Sequence, residues 1–279
     1  MRLAKNKFGS IILSFFRFLA IGVVCLFCLF PILYMISTSF KTFDLMFLKP
    51  PRWFFVPTLI NYKEIFFQRD YLRFFLNSCF VASLSTILTL AISTPAAYAL
   101  ARLNFRKKED IAFWILSIRM FPPIVALVPM FFIFRSLHLL GTRMSLIFIY
   151  QIINIPLVVW MLREFFSELP SELEDAALID GCNHFIILTR IFIPISKSGM
   201  VAAALLSFVF CWNEFLFASV FTGLETRTVP VAVTQFVRMR GVMWGPMSAA
   251  TMTTVVLVWV LSLSIQRHII RGMTFGAVK

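Results

Sequence analysis

The chain has 279 residues, 60% of them hydrophobic, with 34 Phe and only 14% charged residues. A soluble domain carries about 25% charge, so this composition excludes an ordinary water-soluble fold and indicates an integral membrane protein. The net charge of +13 does not indicate a nucleic-acid partner, because Lys and Arg are scattered through short loops, where they meet lipid headgroups.

A bilayer core of ~30 Å needs ~20 apolar residues per helix. The apolar intervals predict a single all-α transmembrane domain over residues 1–279, with six spans at about 14–40, 74–102, 111–134, 144–163, 198–222 and 246–266 and a polar loop at 164–197. Arg119 and Glu214 are the charges deep within these spans. The first run is too long for a signal-peptide core and lacks a small-residue cleavage site, so no cleavable leader is expected. Cys25 and Cys28 lie inside it as a C-x-x-C without a second ligand pair, which predicts buried thiols rather than a metal or redox site.

In the following loop, Trp53, Phe54 and Phe55 form an aromatic interface anchor. Asn61-Tyr62-Lys63-Glu64-Ile65-Phe66 reads as either a packed interfacial helix or a partner contact. Pro95, Pro122, Pro123 and Pro129 remove backbone hydrogen bonds from spans two and three. A guanidinium at the depth of Arg119 costs ~2.5–3.5 kcal/mol on insertion scales, so it either lines the bundle interior or snorkels to the span end. Span five contains Cys211-Trp212-Asn213-Glu214-Phe215-Leu216. Trp212 offers a ring face and Asn213 and Glu214 offer acceptors to hydroxyls; alternatively, Glu214 pairs with Arg119 for structural reasons.

Between spans four and five lies a polar island, Leu169–Pro194. Ser171 and Glu174 have the spacing of a capping box, with acids in the first turn suited to the helix dipole. Ala176, Ala177 and Leu178 favour helix, and Gly181 suits a left-handed stop. A second helix follows, with Phe185, Leu188, Ile191 and Phe192 apolar and Pro194 expected to end it. Asp175-Ala176-Ala177, three residues, Gly181, nine residues, then Ile191-Phe192-Ile193-Pro194 resembles the EAA motif of permease subunits in binding-protein-dependent ABC importers. Asp175 replaces the family's Glu, and Ile193 its Leu. Three further runs are similar to carbohydrate permeases of the maltose type: Asn61–Phe66, the W-N-E-F run at Trp212–Phe215, and the ending Gln266-Arg267 through Gly272 to Gly276-Ala277-Val278-Lys279. Thr228–Val233 resembles the family's short periplasmic helix before the last span.

The resemblance implies a type I permease fold in a bacterial inner membrane, multi-pass, with both termini cytoplasmic. Basic residues divide almost evenly between the two sides, so the orientation rests on the EAA segment and the dense Arg102–Lys108 cluster. Implied roles are ATPase coupling for Glu174, Asp175, Ala176, Ala177, Asp180 and Gly181, a substrate pathway at Arg119, Trp212, Asn213 and Glu214, and an ATPase-contacting tail at Gly272, Gly276 and Lys279. Implied partners are a second homologous permease, two ATPases, an extracytoplasmic solute-binding protein, membrane lipid and a carbohydrate solute. No cofactor belongs to this chain: it has no G-x-x-x-x-G-K-[ST] loop, so ATP and Mg would be held by the ATPase. His138, His184 and His268 lack metal-type spacing, and no catalytic motif occurs, so no enzyme is expected. Alternative readings are a permease for a non-sugar solute such as a polyamine, or an ion-coupled secondary transporter.

Overall fold

The computed structural model describes residues 2–238 and 241–275, with side chains over 14–237 and 241–264. Along the chain run α1 (Arg2–Ser39), α2 (Phe43–Met46), α3 (Ile60–Gln68), α4 (Tyr71–Arg102), α5 (Lys108–Ser117), a 3-10 turn at Ile118–Met120, α6 (Pro123–Ser136) and α7 (Arg143–Ser167). Then come α8 (Glu172–Ile179), α9 (His184–Ile187), a π-helical turn at Leu188–Phe192, α10 (Ile193–Ile195), α11 (Lys197–Asn213), α12 (Leu216–Phe221) and α13 (Val229–Val233). A two-residue hairpin, β1 (Val237–Arg238) and β2 (Gly241–Val242), precedes α14 (Trp244–Phe275).

Four segments, Ser14–Ser39, Tyr71–Arg102, Arg143–Ser167 and Trp244–Ser264, are long and apolar enough to cross a membrane. Two bent pairs extend this to as many as six: Lys108–Met120 with Pro123–Ser136, bent by 94°, and His184–Ile195 with Lys197–Asn213, bent by 82°. Of the prolines in spans two and three, Pro95 and Pro129 sit inside continuous helices, whereas the break falls at Pro122-Pro123. The residue before a proline is pushed out of the helical region, and Pro122 accordingly has ψ 129°.

The elements gather into two compact units, Met1–Arg69 with Phe236–Thr253, and Asp70–Gln235 with Thr254–Lys279. In the first unit, the Asn61–Phe66 run is a packed helix: the Asn61 side-chain amide donates to the carbonyls of Ser39 and Lys41 at 2.9 and 2.8 Å, and the Tyr62 hydroxyl meets Ser39 Oγ at 3.0 Å. Asn61 thereby satisfies carbonyls that the end of α1 leaves without helical partners. Gly245 is required there, since a Cβ would run into Asn61 Oδ1 and the Met46 methyl. Trp53 packs on Phe30 and Tyr34, both at 6.1 Å between ring centres, while Phe54 is fully exposed. Cys25 and Cys28, expected to be buried, are exposed, because none of the apolar window in Ser14–Ser39 is covered.

The second unit is built on α4 against α7, with α11 packed on both. One apolar core joins Val81, Leu146, Ile149, Trp212, Phe217 and Phe221. A second joins Ala97, Tyr98, Leu162, Phe166, Ile187, Phe192 and Ala203. Between them polar side chains lock α4 to α7: Thr89 donates to Gln151 Oε1 at 2.8 Å, and Gln151 Nε2 donates to the Ile147 and Ser85 carbonyls. Hydrogen bonds between side chains of neighbouring apolar helices fix the relative register of the two. Gly199 admits the Phe165 ring, whose atoms lie 2.6–2.8 Å from where a Cβ would stand.

Candidate coupling surface and solute pathway

The polar island folds as the short helix α8, a sharp stop and a second helical segment. Gly181 takes φ +79°. Its N–H bonds the Leu178 carbonyl and that of Cys182 the Ala177 carbonyl, both at 3.0 Å. This is the Schellman pattern that a left-handed residue after a helix permits. Asn183 then caps α9, its Oδ1 accepting from Ile186 N at 2.9 Å.

Two expectations for this region are corrected. The capping box does not form. Ser171 is already helical, with φ −65° and ψ −29°, and makes no side-chain cap. Glu174 instead turns inward and is 9% exposed. Nor does Pro194 end the second helix, which runs on to Ile195 before bending. Pro194 has no N–H for the Arg190 carbonyl, and the ladder is widened into a π turn over the preceding residues, Leu188–Phe192. Ile187, Leu188 and Phe192 face the core, whereas Phe185 is 73% exposed.

Glu174 joins α8 to the end of α4. Its Oε1 accepts from the Tyr98 hydroxyl at 2.6 Å, and the same hydroxyl lies 3.1 Å from His184 Nδ1. Arg102 Nε stands 4.0 Å from Glu174 Oε2, an ion pair too long for a hydrogen bond. Arg102 also donates to the Leu169 carbonyl and lies over the Phe192 ring at 5.1 Å. Tyr98 and Arg102 are four residues apart and so share one helix face. Sequence reasoning missed Tyr98 and His184 here; the only local signal was that i, i+4 pair at the end of a span.

With Glu174 turned in, the other side of α8 is left open. Leu173, Asp175, Ala176, Leu178, Ile179, Asp180 and Gly181 are exposed, Ile179 by 87%, and Ala177 is buried. A recess of about 630 Å³ runs between this helix and Leu103–Phe105, with Glu174, Asp175, Leu178 and His184 on its wall.

The expected pathway residues do not form one cluster. Arg119 is exposed in the 3-10 turn between α5 and α6, its guanidinium 5.6 Å from the centre of the Phe210 ring. Glu214 does not pair with it. Its Oε1 and Oε2 accept from Phe217 N at 2.8 Å and Ala218 N at 3.0 Å, so the carboxylate caps α12 at the positive end of its dipole. Trp212 is 1% exposed, stacked on Phe208 and met edge-on by Phe75, which leaves no face open to a solute. Asn213 is exposed. Phe210, 43% exposed, lies one turn before it on the same face; no sequence signal marked it. Gly272 is within α14, while Gly276 and Lys279 lie outside the described residues. Among the described residues no group of three His, Cys, Asp or Glu side chains could hold a metal ion.

Long apolar helices, two of them broken pairs, are those of a multi-pass helical membrane protein. The chain belongs to the family of binding-protein-dependent transport system inner membrane components, whose pattern matches residues 93–275. It is a multi-pass membrane permease subunit and not an enzyme. It is 38% identical to a sulfoquinovosyl glycerol transport system permease protein of Agrobacterium fabrum, over 94% of this chain and 93% of that one. It is 36% identical to a trehalose/maltose transport system permease protein of Thermococcus litoralis, over 94% and 96% of the two chains. Among solved structures it superposes on a chain of a bacterial ABC transporter involved in the import of the acidic polysaccharide alginate, with TM-score 0.77 and 22% identity over 92% and 96%.

Proposed function

We propose that this chain is the transmembrane half of an ATP-driven importer for a carbohydrate or polyol, working beside a second homologous permease, two ATPases and an extracytoplasmic solute-binding protein. The observation that carries this reading is the open face of α8. Asp175, Leu178, Ile179 and Asp180 are presented by a helix that is anchored inward through Glu174 and stopped sharply at Gly181. A cytoplasmic ATPase seated on that face, with a side chain reaching the recess beside Asp175 and His184, would move α8 and, through Tyr98, the end of α4. ATP and Mg would be bound by that partner. The names of the relatives support the solute class, and α8 would lie on the cytoplasmic side.

For the solute route, Arg119, Phe210 and Asn213 form the exposed surface, an aromatic face flanked by a cation and an amide, as a hydroxylated ring requires. Trp212 and Glu214 support it from behind. The ion-coupled alternative needs a free acid in a span, and Glu214 is committed to two backbone amides. The test is uptake by the full assembly in proteoliposomes. Solute should accumulate only with ATP on the ATPase side and with a binding protein present. Accumulation driven by an ion gradient without ATP would refute the proposal.

A further inference from the structure

The first unit holds a site that the transport reading does not use. Lys41 stands two residues beyond the end of α1 and is 3% exposed, yet its ammonium has no carboxylate or hydrogen-bond acceptor among the described residues. The rings of Phe55, Tyr34 and Trp53 surround it at 5.1, 5.8 and 6.0 Å. An aromatic cage offsets part of the desolvation of a cation but satisfies none of its three N–H donors. Those donors border a groove of about 400 Å³ between the end of α1, α2 and the start of α14, lined by Met35, Met46, Phe47, Met247 and Ser248 among others.

We infer that this groove binds the phosphate of a membrane phospholipid on Lys41. The ligand chemistry is an anionic oxygen cluster, which charge complementarity and three donors demand. A freely dissolved anion would leave the methionine and phenylalanine walls in water, whereas a lipid covers them with its glycerol and upper acyl chains. The tails have a ready path, since Phe27, Phe30 and Leu33 on α1 are all at least half exposed. The site also stands at headgroup depth, two residues beyond the end of Ser14–Ser39 and beside the interfacial Trp53. This assignment rests on α1 spanning the membrane and is independent of the solute carried.

Full-length permease, purified with its partner subunits, is stripped in detergent and titrated with phosphatidylglycerol, and bound lipid is counted by native mass spectrometry. Wild type and Lys41→Arg should retain one more lipid per permease than Lys41→Met, with affinity lower by roughly tenfold or more in the Met variant. Met247→Trp, which fills the groove and leaves the cation in place, should lose the same lipid, so the test survives a Met variant that fails to fold. Diacylglycerol should not compete, because it lacks the phosphate. Millimolar inorganic phosphate or glycerol phosphate should not compete either, because each lacks the tails. Equal lipid retention by wild type, Lys41→Met and Met247→Trp would overturn the inference. So would displacement by the soluble phosphates, which would make the site one for a dissolved anion, or a partner subunit's side chain found in the groove.

Discussion

Removing a single hydroxyl at the end of α4 should loosen α8 without disturbing the core. Tyr98→Phe deletes the donor that holds Glu174 at 2.6 Å and keeps the ring that meets Phe192 edge-on at 5.1 Å. A hydrogen bond to a charged group contributes about 1.5–3 kcal/mol net. The remaining partners cannot replace it, since Arg102 stands 4.0 Å and His184 3.7 Å from the carboxylate. At about 1.4 kcal/mol per decade, the population in which α8 has swung off α4 should rise roughly 10–150-fold. An eight-residue helix released from its packing cannot hold its own turns, so hydrogen exchange at its amides reads the opening. The amides of Asp180, Gly181 and Cys182, bonded to Ala176, Leu178 and Ala177, should exchange faster by that factor, while those of α7 stay unchanged. If α8 is the coupling element, solute moved per ATP hydrolysed should fall as well. Exchange within about twofold of wild type in α8, a change far below the bond's expected worth, would refute the reasoning, because Tyr98 would then carry no part of the anchor.

Gly181→Asp should insert and fold with a strained stop, since no atom lies within 4 Å of its added Cβ but φ +79° is a conformation that side chains rarely adopt, and uptake should uncouple from hydrolysis; normal uptake would count against the coupling role. Glu214→Ala should destabilise by about 0.5–2 kcal/mol through loss of the α12 cap, visible as a lower melting temperature in detergent, whereas Glu214→Gln, which keeps one acceptor, should recover part of it. Phe210→Ala and Arg119→Ala should raise the solute concentration for half-maximal uptake and leave basal hydrolysis by the assembly unchanged; unaltered uptake in both would remove them from the route. Gly199→Ala should destabilise by about 1–3 kcal/mol through overpacking against Phe165, an effect that Phe165→Leu in the same chain should relieve.

What is local and periodic was legible in the residues themselves. Long runs such as Phe74–Ala101 read as membrane helices, because ~20 apolar residues match the thickness of a bilayer core. Gly181 was readable as a stop because only its backbone is free to turn left-handed at no steric cost. The acids of Glu172–Asp180 likewise marked a short polar helix between two apolar runs. What each polar side chain does was decided by partners far along the chain. Glu174 could cap its own helix or reach Tyr98, and packing of α8 on α4 brought Tyr98 close enough for a hydrogen bond that a cap could not match. Trp212 looked like a solute platform until Phe75 and Phe208 closed around it, and Glu214 looked like a membrane charge until a break in the helix offered it two free amides. Burial is a property of the assembled bundle, and a buried polar group takes whichever partner the fold brings within reach. No sequence pattern specifies that distance.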